Sequence, residues 1–289
     1  MLENLIRLIS VFFAKILQRI PYFKSLVRWL DPNEIRKRKS YDAKPIWRLL
    51  RWNKSAIIVD INDHIGYRSF IQNMPFEMTV YNYAKRLGIG KDEAILDIGA
   101  NTGHATIPYS SEFGSTLVAI EASMENSLVL MQNILINKIR AKVFNFALTD
   151  SNTEKFIKLY KRKGNSGAYS IKKDWNPGVK DDQFEIVPQT TLNNLSDLFP
   201  KKIGLIKIDV EGSEYEVING GIDFITTAAS PIIMEYRIDL NSDQIRKYEE
   251  IFKHFPRANI FSLDHAGNHK EFDRSKSYEN IVIVPENKW

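Results

Sequence analysis

The 289-residue sequence contains no cysteine, which excludes disulfides, thiolate metal sites and cysteine nucleophiles and suits a reducing compartment. It also lacks an apolar stretch of membrane-spanning length in its most hydrophobic-looking part. Within residues 1–30 the longest uncharged run is residues 8–14, too short to cross a bilayer. No small-residue cleavage site follows it, so no signal peptide is expected. Internal repeats and low-complexity tracts are absent as well. What is present is ordinary for a folded chain, 44% hydrophobic and 26% charged, enough for one α/β domain with a modest appendage.

The net charge of +5 is unevenly placed. Residues 1–54 carry 13 Lys/Arg against 4 Asp/Glu (+9), which leaves 27 against 31 (−4) for residues 55–289. A nucleic-acid enzyme more often carries its basic patch around the active site, so no nucleic-acid partner is expected. The division suggests a basic extension over residues 1–54 and a catalytic domain over residues 55–289.

Residues 1–30 have the pattern of two amphipathic helices divided near Pro21. Glu3, Arg7, Lys15 and Arg19 recur at helical spacing, while Leu5, Ile6, Ile9, Phe12, Phe13, Ile16, Leu17 and Ile20 fill the remaining sides. Two expectations follow for residues 1–40. One is peripheral contact with an anionic membrane surface, reinforced by Arg36-Lys37-Arg38-Lys39. The other is docking on the protein's own domain or on a second subunit, since an apolar helical stripe is usually core. The expected location is cytoplasmic, at the inner membrane face if the first contact forms.

From Ala94 onward short apolar runs alternate with helical patterns. Strands are expected at 94–98, 116–120, 142–146, 205–209, 232–235, 259–263 and 280–284, and helices at 105–112, 123–137, 213–224 and 243–255. Strands nearly continuous in Ile, Leu and Val fit a mostly parallel sheet covered on both faces. The rhythm predicts a doubly wound α/β fold with seven strands. Residues 151–188 break it. A strand at 153–160, a turn at 164–167 and a partner strand at 168–171 are expected there, above the carboxyl ends of the sheet.

The cofactor chemistry is read from Asp97-Ile98-Gly99-Ala100-Asn101-Thr102-Gly103-His104. Gly99 and Gly103 permit a tight bend and close backbone approach, and the helix start offers free amides to a carboxylate. A dinucleotide fingerprint would place glycine at Asn101, and Asp97 would face the phosphates. S-adenosylmethionine carries no phosphate, and its ammonium suits Asp97. Glu121 ends the next strand, where a carboxylate accepts ribose hydroxyl protons. Asn145-Phe146-Ala147-Leu148 follows the third strand, where an adenine ring would lie, although Phe146 is equally a core residue.

In Lys207-Ile208-Asp209-Val210-Glu211-Gly212 the period of two puts Lys207, Asp209 and Glu211 on one side. Residues 95–103, 119–122, 145–150, 190–192, 207–212 with Glu214, and 231–235 together resemble the FkbM family of methyltransferases, in order over residues 70–265. The resemblance implies a Rossmann-like class I fold, S-adenosylmethionine as donor, and a hydroxyl acceptor on a sugar or polyketide. The expected cofactor residues are Asp97, Gly99, Asn101, Gly103, Glu121, Ala122, Asn145, Ala147 and Asp209. His104 departs from the family pattern and inherits no role.

Methyl transfer to a hydroxyl gains from a nearby base. Asp209 is the first candidate, with Glu211 beside it to raise one of the two pKa values. Glu235 is a further candidate and Lys207 completes the catalytic set. No metal ligand set is assigned, although the carboxylate pair could hold a divalent cation that orients a diol. The expected acceptor is a small molecule or a glycan, with bacterial surface polysaccharide the first guess. The rival readings are a cofactor-binding protein without catalysis and an NAD-dependent oxidoreductase.

Overall fold

The computed structural model describes residues 44–175, 179, 182–238 and 242–286. The expectations for residues 1–40 lie outside these. An antiparallel hairpin opens the described chain, β1 (Trp47–Trp52) and β2 (Ser55–Asp60). The 54/55 division expected from charge falls in its turn, where Asn53 adopts a left-handed φ of 47°. Helices α1 (His64–Gln72) and α2 (Met78–Leu87) follow.

The alternating body comes next, with β3 (Ala94–Ile98), α3 (Ile107–Phe113), β4 (Thr116–Ile120), α4 (Met124–Asn137) and β5 (Ala141–Phe144). A small sheet holds β6 (Ala147–Leu148), β7 (Phe156–Tyr160) and β8 (Phe184–Thr190), leading into the short α5 (Leu192–Leu195). The chain ends with β9 (Ile203–Ile208), α6 (Glu214–Asn219), α7 (Ile222–Ala228), β10 (Ile232–Tyr236), α8 (Ser242–His254), β11 (Asn259–Leu263), β12 (His269–Lys270) and β13 (Tyr278–Val284).

The main sheet runs β12-β11-β13-β10-β9-β3-β4-β5. Its β10, β9, β3, β4 and β5 are parallel, and β13 is antiparallel to both neighbours. All seven expected strands are present, and the two-residue β12 adds an eighth at the edge. This is the doubly wound, mostly parallel sheet that the alternating rhythm predicts. Every residue of β3 and β9 is buried, because helices cover both faces. The chain leaves β3 toward β4 and β5 and returns on the other side at β9, so the strand order reverses between β3 and β9. Ligands of such sheets bind beyond the carboxyl ends at that reversal.

Two local expectations change. The helix foreseen at 213–224 is divided at Gly220-Gly221, where the backbone lies so close to Thr149 O that a Cβ on Gly220 would sit 2.2 Å from it. The strand partner of β7 is β8, with five residue pairs. The expected partner at 168–171 contributes a single bridge, Tyr160 to Ser170, because Ser166–Ala168 coils into a 3₁₀ turn. Among the described residues no helix is long and apolar enough to cross a membrane.

Helix α4 is apolar on two sides. It buries Leu130 and Ile134 in the core together with Asn126, Ser127 and Asn133, and exposes Met124, Leu128, Met131 and Leu135, the last at 74%. The buried amides act as a substitute strand for β2. Asn133 Oδ1 accepts from Ile58 N–H at 2.7 Å and Asn137 Oδ1 from Ala56 N–H at 2.8 Å, while Asn137 Nδ2 returns a bond to Ala56 O at 2.7 Å. Asn133 Nδ2 also donates to Thr102 O at 2.9 Å, tying the helix to the turn after β3. Asn133→Ala would strand a buried N–H and a carbonyl. The expected loss is about 1–3 kcal/mol, read by urea unfolding; a loss within error of zero would mean that solvent reaches Ile58.

Candidate active site

A cavity of about 280 Å³ opens at the carboxyl ends of β3, β4 and β9, beneath the turn at Asn165, Ser166 and Gly167. The turn is pinned from below: Asp63 caps α1 through Ile65 N–H at 3.0 Å and accepts Ser166 N–H at 2.6 Å. Sequence-expected residues Gly99, Asn101, Glu121, Ala122, Ala147, Lys207, Asp209 and Glu211 all line this cavity. Asp97, Gly103, Asn145 and Glu235 are not among the residues that line it.

The turn after β3 is shaped by backbone contact. A Cβ on Gly99, at φ +76°, would lie 1.8 Å from Asp209 O, so only glycine lets the ends of β3 and β9 meet. Asn101 is left-handed at φ 51°, and its N–H donates to Glu121 Oε2 at 2.8 Å. The other oxygen, Glu121 Oε1, accepts Ser123 N–H at 2.9 Å. Burial raises the Glu121 pKa, and these backbone donors oppose that. Asn145 fixes the same corner, donating at 2.9 Å to the carbonyls of Glu121 and Ala122. Its contribution is therefore to hold the loop. Gly103 is likewise a packing position, since a Cβ there would strike Ile107 and Leu130.

These walls fit S-adenosylmethionine. Asn101 Oδ1 is buried without a hydrogen-bond partner, and Glu121 stands at the strand end. Phe146, Ala147 and Leu148 give an apolar slot on the side of β5. Polar contacts for an amino acid and a ribose thus sit beside an apolar place for a base.

At the floor lies one cation among three carboxylates. Lys207 Nζ is 3.2 Å from Asp97 Oδ1, 3.6 Å from Asp209 Oδ2 and 3.8 Å from Glu77 Oε2, and donates to Gly99 O at 3.0 Å. Thr106 Oγ1 donates to the second Asp97 oxygen at 2.6 Å. Asp97 is fully buried and spent on Lys207 and Thr106, so it shapes the cofactor turn from below. Burial alone would lower the Lys207 pKa; Asp97, Glu77 and Asp209 outweigh it and raise it, so this ammonium stays charged. It occupies the point that the carboxylates share. Among the described residues no three His, Asp or Glu side chains converge as a metal ligand set.

Above this floor the carboxyl groups are poised near neutrality. Burial first, then Asp209, raises Glu211 to about 8. Glu211 is left-handed at φ 52°, and Trp175 Nε1 donates to its Oε2 at 2.7 Å. Trp175 also lies over Gly212, where a Cβ would sit 2.2 Å from the indole. Glu235 is raised to about 9 by burial and then by Asp209 and Glu211, with Arg237 at 3.4 Å. Lys207 sits beside Asp209, and the carboxyls with raised proton affinity in the cavity wall are Glu77, Glu121 and Glu211.

Glu77 was not foreseen. It begins α2 with left-handed angles (φ 59°, ψ 42°), and burial raises its pKa to about 8, with Lys207 opposing. Its only sequence signal is a carboxylate ahead of an amphipathic helix, which is common. His104 borders the cavity as a neutral ring. Its Nδ1 accepts Phe76 N–H at 3.4 Å and meets Ser69 Oγ at 3.1 Å, and burial lowers its pKa to about 4.

A pH dependence follows with a definite sign. Glu77, Glu211 and Glu235 have folded pKa values of about 8, 8 and 9 against the ordinary 4.5. Between those limits the folded protein binds more protons than the unfolded chain, so stability falls as pH rises. The Tm of the ligand-free protein is expected to drop between about pH 6 and about pH 9, and to drop less in Glu235→Gln. A Tm that climbs over this window would contradict buried protonated carboxyls.

The Methyltransferase FkbM domain matches residues 97–265 of the chain. Direct sequence comparison with curated proteins gives no match. Among solved structures, the methyltransferase FkbM of Methylobacillus flagellatus KT is similar at 15% identity and a TM-score of 0.45, over 75% of this chain and 50% of that one. The chain therefore spans about half the length of that relative. The O-methyltransferase of Bacillus cereus, crystallised with SAH, is similar at 15% identity and a TM-score of 0.40, over 76% of this chain and 87% of that one.

Proposed function

Since the chain belongs to the FkbM family of methyltransferases, we propose that it transfers the methyl group of S-adenosylmethionine to a hydroxyl of a sugar in a surface glycan. The observation that carries this reading is Glu211, a carboxyl raised to about 8 in the wall of the cavity that Asn101 and Glu121 also line. A base with that proton affinity is matched to a neutral working pH. A sugar hydroxyl is a poor nucleophile until its proton has somewhere to go.

Bound S-adenosylmethionine supplies a methyl carbon already activated by a cationic sulfur. Asn101 and Glu121 bind its polar parts, and Phe146 and Ala147 hold the base. Glu211 takes the acceptor's proton at Oε1, because Trp175 holds Oε2. Asp209 lines the same cavity and is held by Lys207. The Ser166 turn and Tyr169 form part of the cavity wall. Holding the acceptor oxygen in line with the methyl group provides most of the rate.

The acceptor class is argued from charge. Carboxyl groups of Glu77, Asp209 and Glu211 in one wall offer hydrogen-bond donors and acceptors suited to a polyol, and among the described residues no Arg lines the cavity to partner a phosphate or carboxylate substrate. The test incubates the full chain with S-adenosylmethionine and neutral oligosaccharides released from bacterial surface polysaccharide. S-adenosylhomocysteine and a methylated sugar are expected, detected by mass spectrometry. Donor binding without any turnover would return the protein to a binding role, and a thermal shift with NAD alone would point to a dehydrogenase.

A further inference from the structure

We propose that His104 reads the amino acid end of the methyl donor, its Nε2–H donating to the donor's carboxylate; this rests on the S-adenosylmethionine reading of the cavity. The tautomer follows from what holds the ring. A backbone amide can only donate, so Phe76 N–H, 3.4 Å from Nδ1, makes Nδ1 the acceptor. Ser69 Oγ meets the same nitrogen at 3.1 Å. In a neutral imidazole the proton then sits on Nε2. Burial, which lowers the His104 pKa to about 4, keeps the ring neutral. Among the described residues Nε2 has no partner. Nor is that nitrogen sealed off: the residue is 6% exposed and lines the cavity. An oriented N–H that borders a cavity and meets no protein acceptor is the kind of polar group that fixes how a ligand lies.

Which group it meets follows from the order of the walls. The apolar slot of Phe146, Ala147 and Leu148 lies on the β5 side, and Glu121 follows β4. A donor with its base in the slot and its ribose at Glu121 brings its amino acid end to the turn after β3. There Gly99, Asn101 and His104 line the cavity. That end is a zwitterion. Its ammonium faces the carboxyls of Glu77 and Asp209. Its carboxylate has fewer partners, because Lys207 is already held among Asp97, Asp209 and Glu77, and among the described residues no Arg lines the cavity. A neutral N–H suits it, since the bond to a carboxylate forms without a second buried charge. Both groups that hold Nδ1, Ser69 on α1 and Phe76 ahead of α2, precede the matched residues 97–265. The socket for the ring therefore comes from helices outside the matched domain.

The test compares S-adenosylhomocysteine with its decarboxylated analogue, in which hydrogen replaces the carboxylate, by calorimetry on the full chain. His104→Asn keeps an acceptor at the Nδ1 position for Ser69 and Phe76 and removes Nε2. It is expected to weaken S-adenosylhomocysteine about tenfold or more and the analogue by less than about twofold, a difference that isolates the contact. Equal losses for both ligands would make the ring a packing element and overturn the proposal, as would an unchanged affinity for S-adenosylhomocysteine. Failure of the wild-type chain to bind either ligand would bring down the donor reading itself, and this inference with it. A second measurement needs no variant. In wild-type protein labelled with ¹⁵N-histidine, the His104 Nε2–H proton is expected to move downfield with S-adenosylhomocysteine and to stay in place with the analogue. A ring found as the Nδ1–H tautomer, or unmoved by S-adenosylhomocysteine, would overturn the proposal.

Discussion

Lys207→Met is expected to destabilise the protein by about 3–5 kcal/mol, the loss typical when one member of a buried ion cluster is removed. The side chain is only 4% exposed and sits within 4 Å of Asp97, Asp209 and Glu77. Methionine fills nearly the same volume, so packing changes little and the loss reports charge. Fully buried Asp97 would be left with the Thr106 hydroxyl as its hydrogen-bonding partner and with no cation beside it. The double variant Lys207→Met with Asp97→Asn should recover part of the stability, because the stranded charge is gone. Urea unfolding measures both; a single-variant loss under about 1 kcal/mol would show that water reaches the cluster.

Glu211→Gln is expected to lower kcat by roughly 10²–10⁴-fold, the usual contribution of a positioned base. The amide keeps an oxygen for Trp175 Nε1–H, which Glu211 now accepts at 2.7 Å, so the loop should hold its shape. Donor affinity by calorimetry should change by less than about threefold, since Glu211 is placed toward the acceptor and the Asn101–Glu121 corner is untouched. Asp209→Asn should differ in kind, weakening donor binding as well, because Asp209 lies against the Gly99 turn and beside Lys207. If Glu211→Gln kept full turnover while Asp209→Asn lost only kcat, the proton would be going to Asp209.

The parts of this site that could be read from the sequence share a physical origin. The Asp97–Gly103 turn and the Lys207–Gly212 strand end are local: a strand, its terminal charge and the next turn lie within ten residues, so spacing alone places them. Glu121 belongs to the same class. Glu77 does not, because its neighbours Lys207 and Asp209 are distant in sequence and its left-handed backbone leaves no compositional trace. The same holds for Trp175, which reaches Glu211 only after β7 pairs with β8. Lys207, Asp209 and Glu211 all line the cavity, but β9 ends at Ile208 and Glu211 is left-handed, so the period of two could not say which carboxyl would be buried enough to hold a proton. Gly103 and Asn145 were recognised as belonging to the site's segments, yet packing made them supports for the loop. The sequence marks α4 only as a helical stretch, and the hairpin lying beside it explains why its asparagines point inward.

The asparagine amides on β2 also bear on how crowded copies of this protein behave. A two-stranded ribbon has two lateral borders, and each exposed border is a template on which another polypeptide can add a strand. Asn133 and Asn137 occupy the N–H and C=O groups of Ile58 and Ala56 along one of them. Substituting these asparagines would therefore do more than loosen a helix: it would uncover a sticky seam, and light scattering at high concentration would rise before any loss of native fluorescence.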